Sequence, residues 1–168
     1  LTREGLMRIG AQPEPKNWRP NPLVLSGAPT KRGHLVQLAD NMTHNRGLMT
    51  VSTVLVDEDA RPERVLRLEA NIREYVAKRG IQTLVRVTAH ADPFEGSKHL
   101  VDNYGLGTLV PNTILLGDSE SPEARNKFCE MIRHFYSIRR NVLVYKRQGS
   151  FQEVQGRRAI QHQGKITR

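Results

Sequence analysis

The sequence predicts an α/β fold, a doubly wound and mainly parallel five-stranded sheet with helices on both faces. Three observations carry this expectation. Short β-branched runs alternate with segments whose apolar residues recur at helical spacing. Glycine, proline and acidic residues punctuate those segments where helices start and stop. The 168 residues suffice for one domain with a core of ordinary size, without a disulfide or metal staple. Right-handed crossovers make 3-2-1-4-5 the expected strand order.

Taken in order, residues 1–11 place Leu1, Leu6, Met7 and Ile9 on one side of a short helix or connector. Eleven residues are marginal as a helix alone in water, so this segment needs a partner surface. Residues 12–22 hold four prolines and form an extended linker. Because the chain opens on Leu1 and reaches its first periodic run only after Pro20 and Pro22, it reads as a piece of a longer polypeptide.

A single α/β domain is expected over 23–147. Its first strand is Leu23-Val24-Leu25, and its first helix carries Leu35, Leu38, Ala39 and Met42, with Gly47 as its closing residue. A second strand spans Leu48 to Val56. The second helix opens at Pro62 and Glu63 and runs through Val65, Leu68, Ile72 and Val76 to Gly80. A strand at Thr83 to Thr88, a helical stretch from Phe94 to Val101 and a strand at Thr113 to Leu116 follow.

The best-marked helix is expected from Ser121 to Ser137. Ser121-Pro122-Glu123 supplies a cap, a first helical residue and an acid at the positive dipole end, while Ala124, Phe128, Met131, Phe135 and Ile138 line one side. Asn141 to Tyr145 is the fifth strand. Beyond it, 148–168 is a tail rich in Gln, Gly and Arg and too poor in apolar residues for a packed structure.

Charge is uneven along the chain. Residues 1–120 carry 15 Lys/Arg against 14 Asp/Glu, and residues 121–168 carry 11 against 3, within a net charge of +9. That asymmetry suits an anionic membrane surface, an acidic partner or nucleic acid. Nucleic acid is disfavoured because Phe151 is the sole aromatic residue after Tyr145, leaving nothing to stack on bases. No apolar run approaches the roughly 18 residues of a spanning helix, and the single cysteine, Cys129, reads as a half-buried thiol in a reducing compartment.

In a doubly wound sheet, ligands sit at the carboxyl ends of the strands where the order reverses. Two loops are expected to meet there. One contains Gly27, Pro29, Lys31, Arg32 and Gly33, and the other contains Gly117 and Ser119. Neither is a Walker motif or a dinucleotide fingerprint: five residues, not four, separate Gly27 from Gly33 and His34 follows, and Gly105-Leu106-Gly107 precedes a strand. The six histidines lack metal-ligand spacing, and no Gly-x-Ser-x-Gly elbow is present. His90-Ala91-Asp92 reads as a capping aspartate before Pro93. Neither catalysis nor a cofactor or metal is expected.

Two long motifs carry a resemblance. Asn17-Trp18-Arg19-Pro20 running into Leu23-Val24-Leu25 and Gly27-Ala28-Pro29, and Gly105-Leu106-Gly107 running through Leu109, Pro111, Asn112 and Thr113 to Gly117, resemble the carboxy-terminal cytoplasmic domain of cation-chloride cotransporters. The stretch Leu35 to Met49 resembles that family's first helix and second strand. The resemblance runs from Asn17 to Tyr145 and looks like a compact, prokaryotic-type member; the tail after Tyr145 departs from it. It implies a regulatory, homodimerising domain on the cytoplasmic side of the cell membrane. The transmembrane part of the same polypeptide would move chloride with sodium or potassium, and the ion sites would lie there. The alternative reading is a nucleotide sensor of the universal-stress-protein type, a fold the expected topology resembles, using the crevice between the two loops.

Overall fold

The computed structural model describes residues 18–28, 30–44, 46–57, 60–107, 109–118 and 121–146. Strands β1 (Pro22–Leu25), β2 (Thr50–Val56), β3 (Leu84–His90), β4 (Thr113–Gly117) and β5 (Asn141–Tyr145) alternate with helices α1 (Gly33–Thr43), α2 (Pro62–Ala77), α3 (Pro93–Asn103) and α4 (Arg125–Ser137). The sheet order is β3-β2-β1-β4-β5, as expected, and every neighbouring pair is parallel. The short helix of 1–11, most of the proline-rich linker and the tail of 148–168 lie outside the described residues.

Alternation along the central strands divides the core in two. Val24, Val51, Val87 and Leu115 face α1 and α2, where Leu35, Val36, Ala39, Ile72 and Val76 cover them. Leu23, Leu25, Ile114 and Leu116 face α3 and α4, where Leu100, Val101, Phe128, Met131 and Phe135 meet them. Phe135 is fully buried. β1 and β4 bury all four and four of five residues respectively, so they read as continuous apolar runs.

Several boundaries differ from expectation for local reasons. α4 begins at Arg125 rather than Ser121: residues 122–124 form a turn, Ala124 precedes the helix and no side chain caps it. Gly47 does not close α1. His44 adopts the left-handed conformation there, at φ 47°, and its N–H donates to Asp40 O at 3.1 Å. A Cβ at position 47 would stand 2.5 Å from Pro20 O, so that glycine serves close backbone approach instead. The stop of α2 matches expectation. Gly80, at φ +70°, donates to Ala77 O at 2.9 Å, and Ile81 N–H reaches Val76 O at 3.1 Å, which is a Schellman closure.

The β3 edge of the sheet is covered by a side chain. On β3 the outward N–H of Val87 donates to Glu69 Oε1 of α2 at 2.9 Å, a carboxylate that also pairs with Arg86 at 3.9 Å. A charged side chain turned onto an edge strand blocks the addition of another strand.

Candidate functional site

The crevice expected between the β1 and β4 carboxyl ends exists, and both loops contribute to it. Ser26 follows β1 fully buried, its N–H donating to Ser52 O at 3.2 Å. Gly27 turns the chain at φ +61°, with its carbonyl accepting from Thr53 Oγ1. The loop is thereby tied to β2. Arg32, at the start of α1, reaches over to the other loop: a Cβ on Gly117 would lie 2.9 Å from its Nη1. Gly33 is crowded by α2, where Tyr75 Oη would stand 2.7 Å from a Cβ at that position.

Lys31 is exposed and does not line the crevice, while Ser119 and Pro29 lie outside the described residues. The cavity encloses about 250 Å³. Its walls are Leu25, Phe94, Leu116, Phe128 and Met131, with Arg32 and Asp118 as its charged residues. Ser52 Oγ is already donated to Val24 O at 3.0 Å. Drug-sized ligands occupy roughly 300–1,000 Å³ with convergent polar groups. This crevice is smaller and its cation stands against Gly117, an arrangement that suits a packed loop junction better than a nucleotide.

Asp92 caps α3, accepting from Phe94 N at 2.8 Å and Glu95 N at 3.1 Å. The Lys127 ammonium bonded to it, together with those amides, holds its carboxyl down at about 2. His90 Nδ1 accepts the Asp92 N–H at 3.0 Å. The pair therefore shapes a turn, as the sequence indicates. Among the described residues, no group of three or more His, Cys, Asp or Glu lies close enough to share a metal.

The motif residues converge at the opposite end of the sheet. Asn112, just before β4, grips the incoming chain with its whole side chain. Oδ1 accepts the Asn21 N–H at 2.9 Å and the Thr113 hydroxyl at 2.9 Å, and Nδ2 donates to Arg19 O at 2.8 Å. Asn21 Nδ2 donates back to Val110 O at 3.2 Å, and the two backbones join through Asn112 N–H to Asn21 O at 3.1 Å. Pro22 then registers with Thr113, and Leu25 with Leu116. Residues 91 apart in sequence thus form one lock.

The Gly105-Leu106-Gly107 run builds the approach to that lock. Leu106 and Leu109 exchange N–H···O bonds of 3.2 and 2.9 Å around a two-residue turn, with Gly107 at φ +57° in its first central position. Gly105, at φ +138°, has no room for a side chain, since a Cβ would stand 2.5 Å from Val110 Cγ1 and 2.9 Å from Leu109 O. Pro111 is buried beneath, and Tyr104 Oη bonds Thr50 Oγ1 at 3.2 Å. Trp18 stands half-exposed where the described chain begins; Asn17 lies outside the described residues. The motifs are visible in sequence, but Asn21 and the role of Asn112 as a lock are not.

Comparison with known proteins agrees with this picture. The chain is 32% identical over 110 residues to human solute carrier family 12 member 2, covering 64% of this chain and 9% of that protein. It is 28% identical over 136 residues to solute carrier family 12 member 3 of Pseudopleuronectes americanus, covering 78% of this chain and 13% of that protein. It therefore spans only a small part of the length of either relative. A crystal structure of the cytoplasmic domain of a prokaryotic cation chloride cotransporter shares the fold at a TM-score of 0.57 and 18% identity, covering 77% of this chain and 46% of that one. The sequence model of solute carrier family 12 matches residues 32–155, from the start of α1 through the Gly-Leu-Gly turn, Asn112 and β5; this chain belongs to that family.

Proposed function

We propose that the chain is a cytoplasmic regulatory and dimerisation domain of a membrane transporter that moves chloride together with sodium or potassium. The observation that carries this reading is the family match over 32–155. Support comes from the fold shared with the cotransporter domain and from the small share of the relatives' length that the chain represents. None of the helices among the described residues is long and apolar enough to cross a membrane. Transport itself is accordingly assigned to other parts of the polypeptide, and no catalysis is assigned to this segment. The α/β body, locked at Asn112 to the chain that leads into it, acts as a lever. Two copies pair and bias the transporter through contacts that differ between its states.

The test is reconstitution of the whole polypeptide into liposomes. Chloride uptake that requires sodium or potassium is expected, and uptake indifferent to both cations overturns the ion assignment. Light scattering of the isolated chain tests the pairing: a mass of two copies is expected, and a monomer at all concentrations removes the dimerisation role. Loss of cation-coupled flux in Asn112→Ala, with the protein still at the membrane, would support the lever.

A further inference from the structure

A second concave surface lies beside the lock, on the side of the sheet where the described chain begins. It encloses about 960 Å³. Trp18, Met42, Ile132, Tyr136 and Leu143 give it an apolar lining, and Trp18, Tyr136 and Leu143 are 48%, 80% and 40% exposed. Arg133 and Arg140 add two cations, and among the described residues no carboxylate lines the groove. The Nε of Arg140 is buried without a hydrogen-bond partner among the described residues, a group that normally finds an acceptor.

We propose that this groove is the docking site for residues 1–11 of the same chain. This docking is independent of the transporter reading. Trp18, where the described chain begins, is itself a wall of the groove, so residues 1–17 are tethered to it covalently. Residues 12–17 carry Pro13 and Pro15 and, extended at about 3.1 Å per residue, reach about 20 Å. A tether of that length holds the segment at millimolar effective concentration, enough for a small apolar contact to form.

The chemistry on the two sides matches. In a helix, Leu1, Leu6, Met7 and Ile9 would make an apolar face, one too short to persist in water by itself. The groove offers an exposed indole, a phenol ring and aliphatic side chains to receive it. Glu4 and Glu14 would bring carboxylates to a lining whose described residues include two arginines and no acid. Glu14, four residues before Trp18 in the sequence, is the acid this docking would bring to Arg133 or Arg140.

Trp18 is the only tryptophan in the chain, which makes its fluorescence a reporter confined to the groove. The experiment compares the full chain with Leu6→Asp/Ile9→Asp and with Tyr136→Ala, reading the emission maximum and acrylamide quenching. The wild-type chain is expected to emit to the blue and to resist quenching. Both variants should shift to the red and quench more readily, at all protein concentrations and with unchanged far-UV circular dichroism. Glu14→Gln should move the wild-type signal part of the way and remove its sensitivity to salt. Identical emission and quenching in wild type and Leu6→Asp/Ile9→Asp would overturn the proposal. Shielding that grows only with protein concentration would assign the groove to a second copy. Shielding that appears only with anionic vesicles would assign it to a bilayer.

Discussion

Replacing Asn112 by alanine should be among the most damaging single changes outside the apolar core. Three side-chain bonds are lost, to the Asn21 N–H, the Thr113 hydroxyl and Arg19 O, at 2.9, 2.9 and 2.8 Å. Each such bond contributes about 0.5–1.5 kcal/mol net, and a half-buried amide N–H left without an acceptor adds to the loss. The expected destabilisation is about 3 kcal/mol, or a fall in Tm of about 10 °C for a domain of this size. Urea unfolding of the isolated chain measures it, with an unchanged m-value confirming that the same surface unfolds. Asn103→Ala is the matched control: its Nδ2 makes one exposed bond to His99 O at 2.8 Å, and its loss should cost less than about 0.5 kcal/mol. Asn112→Asp should fall between the two, since it keeps both acceptor bonds and loses only the donor to Arg19 O. A cost for Asn112→Ala no larger than that of Asn103→Ala would refute the lock.

Gly105→Ala should cost about 2 kcal/mol or more, because it combines a backbone angle suited to glycine with a Cβ 2.5 Å from Val110 Cγ1, whereas Gly107→Ala meets open space and should cost about 1 kcal/mol. Denaturation midpoints of the two variants separate close approach from conformation. Arg139→Gly should stabilise the chain by about 0.5–1 kcal/mol, since Arg139 holds φ +60° at the close of α4, where the Arg139 and Arg140 N–H groups return to Tyr136 O and Phe135 O, both at 3.0 Å. Asp92 titrates at about 2 in the folded chain against an ordinary 3.8, so its ionised form contributes stability that is complete above the unfolded value and lost as pH falls through the folded one. The stability difference between wild type and Asp92→Asn should therefore hold above about pH 4 and shrink between about pH 4 and 2; a difference constant across that window would show that Lys127 and the α3 amides do not hold the carboxylate.

The sequence by itself determined what depends on near neighbours. β1 and β4 are apolar without interruption because both of their faces are covered, and that signature survives in any register. The Schellman close at Gly80 and the Asp92 cap are settled within a few residues and are legible for that reason. The handedness of crossovers then limits how alternating elements connect, which makes the strand order derivable.

Tertiary structure alone decided what depends on distant partners. Ser121 has the chemistry of a cap, yet α4 starts at Arg125. Gly47 has the chemistry of a helix stop, yet its place is set by Pro20 O across a backbone contact. The crevice glycines and cations match no phosphate-binding motif in sequence, and only the fold shows that Arg32 lies over Gly117 while Lys31 turns to solvent. Asn112 holds Arg19 and Asn21 from more than ninety residues away. Hydrogen bonds and steric contacts over such separations leave no periodic trace in a single sequence, because only the packed sheet brings their ends together.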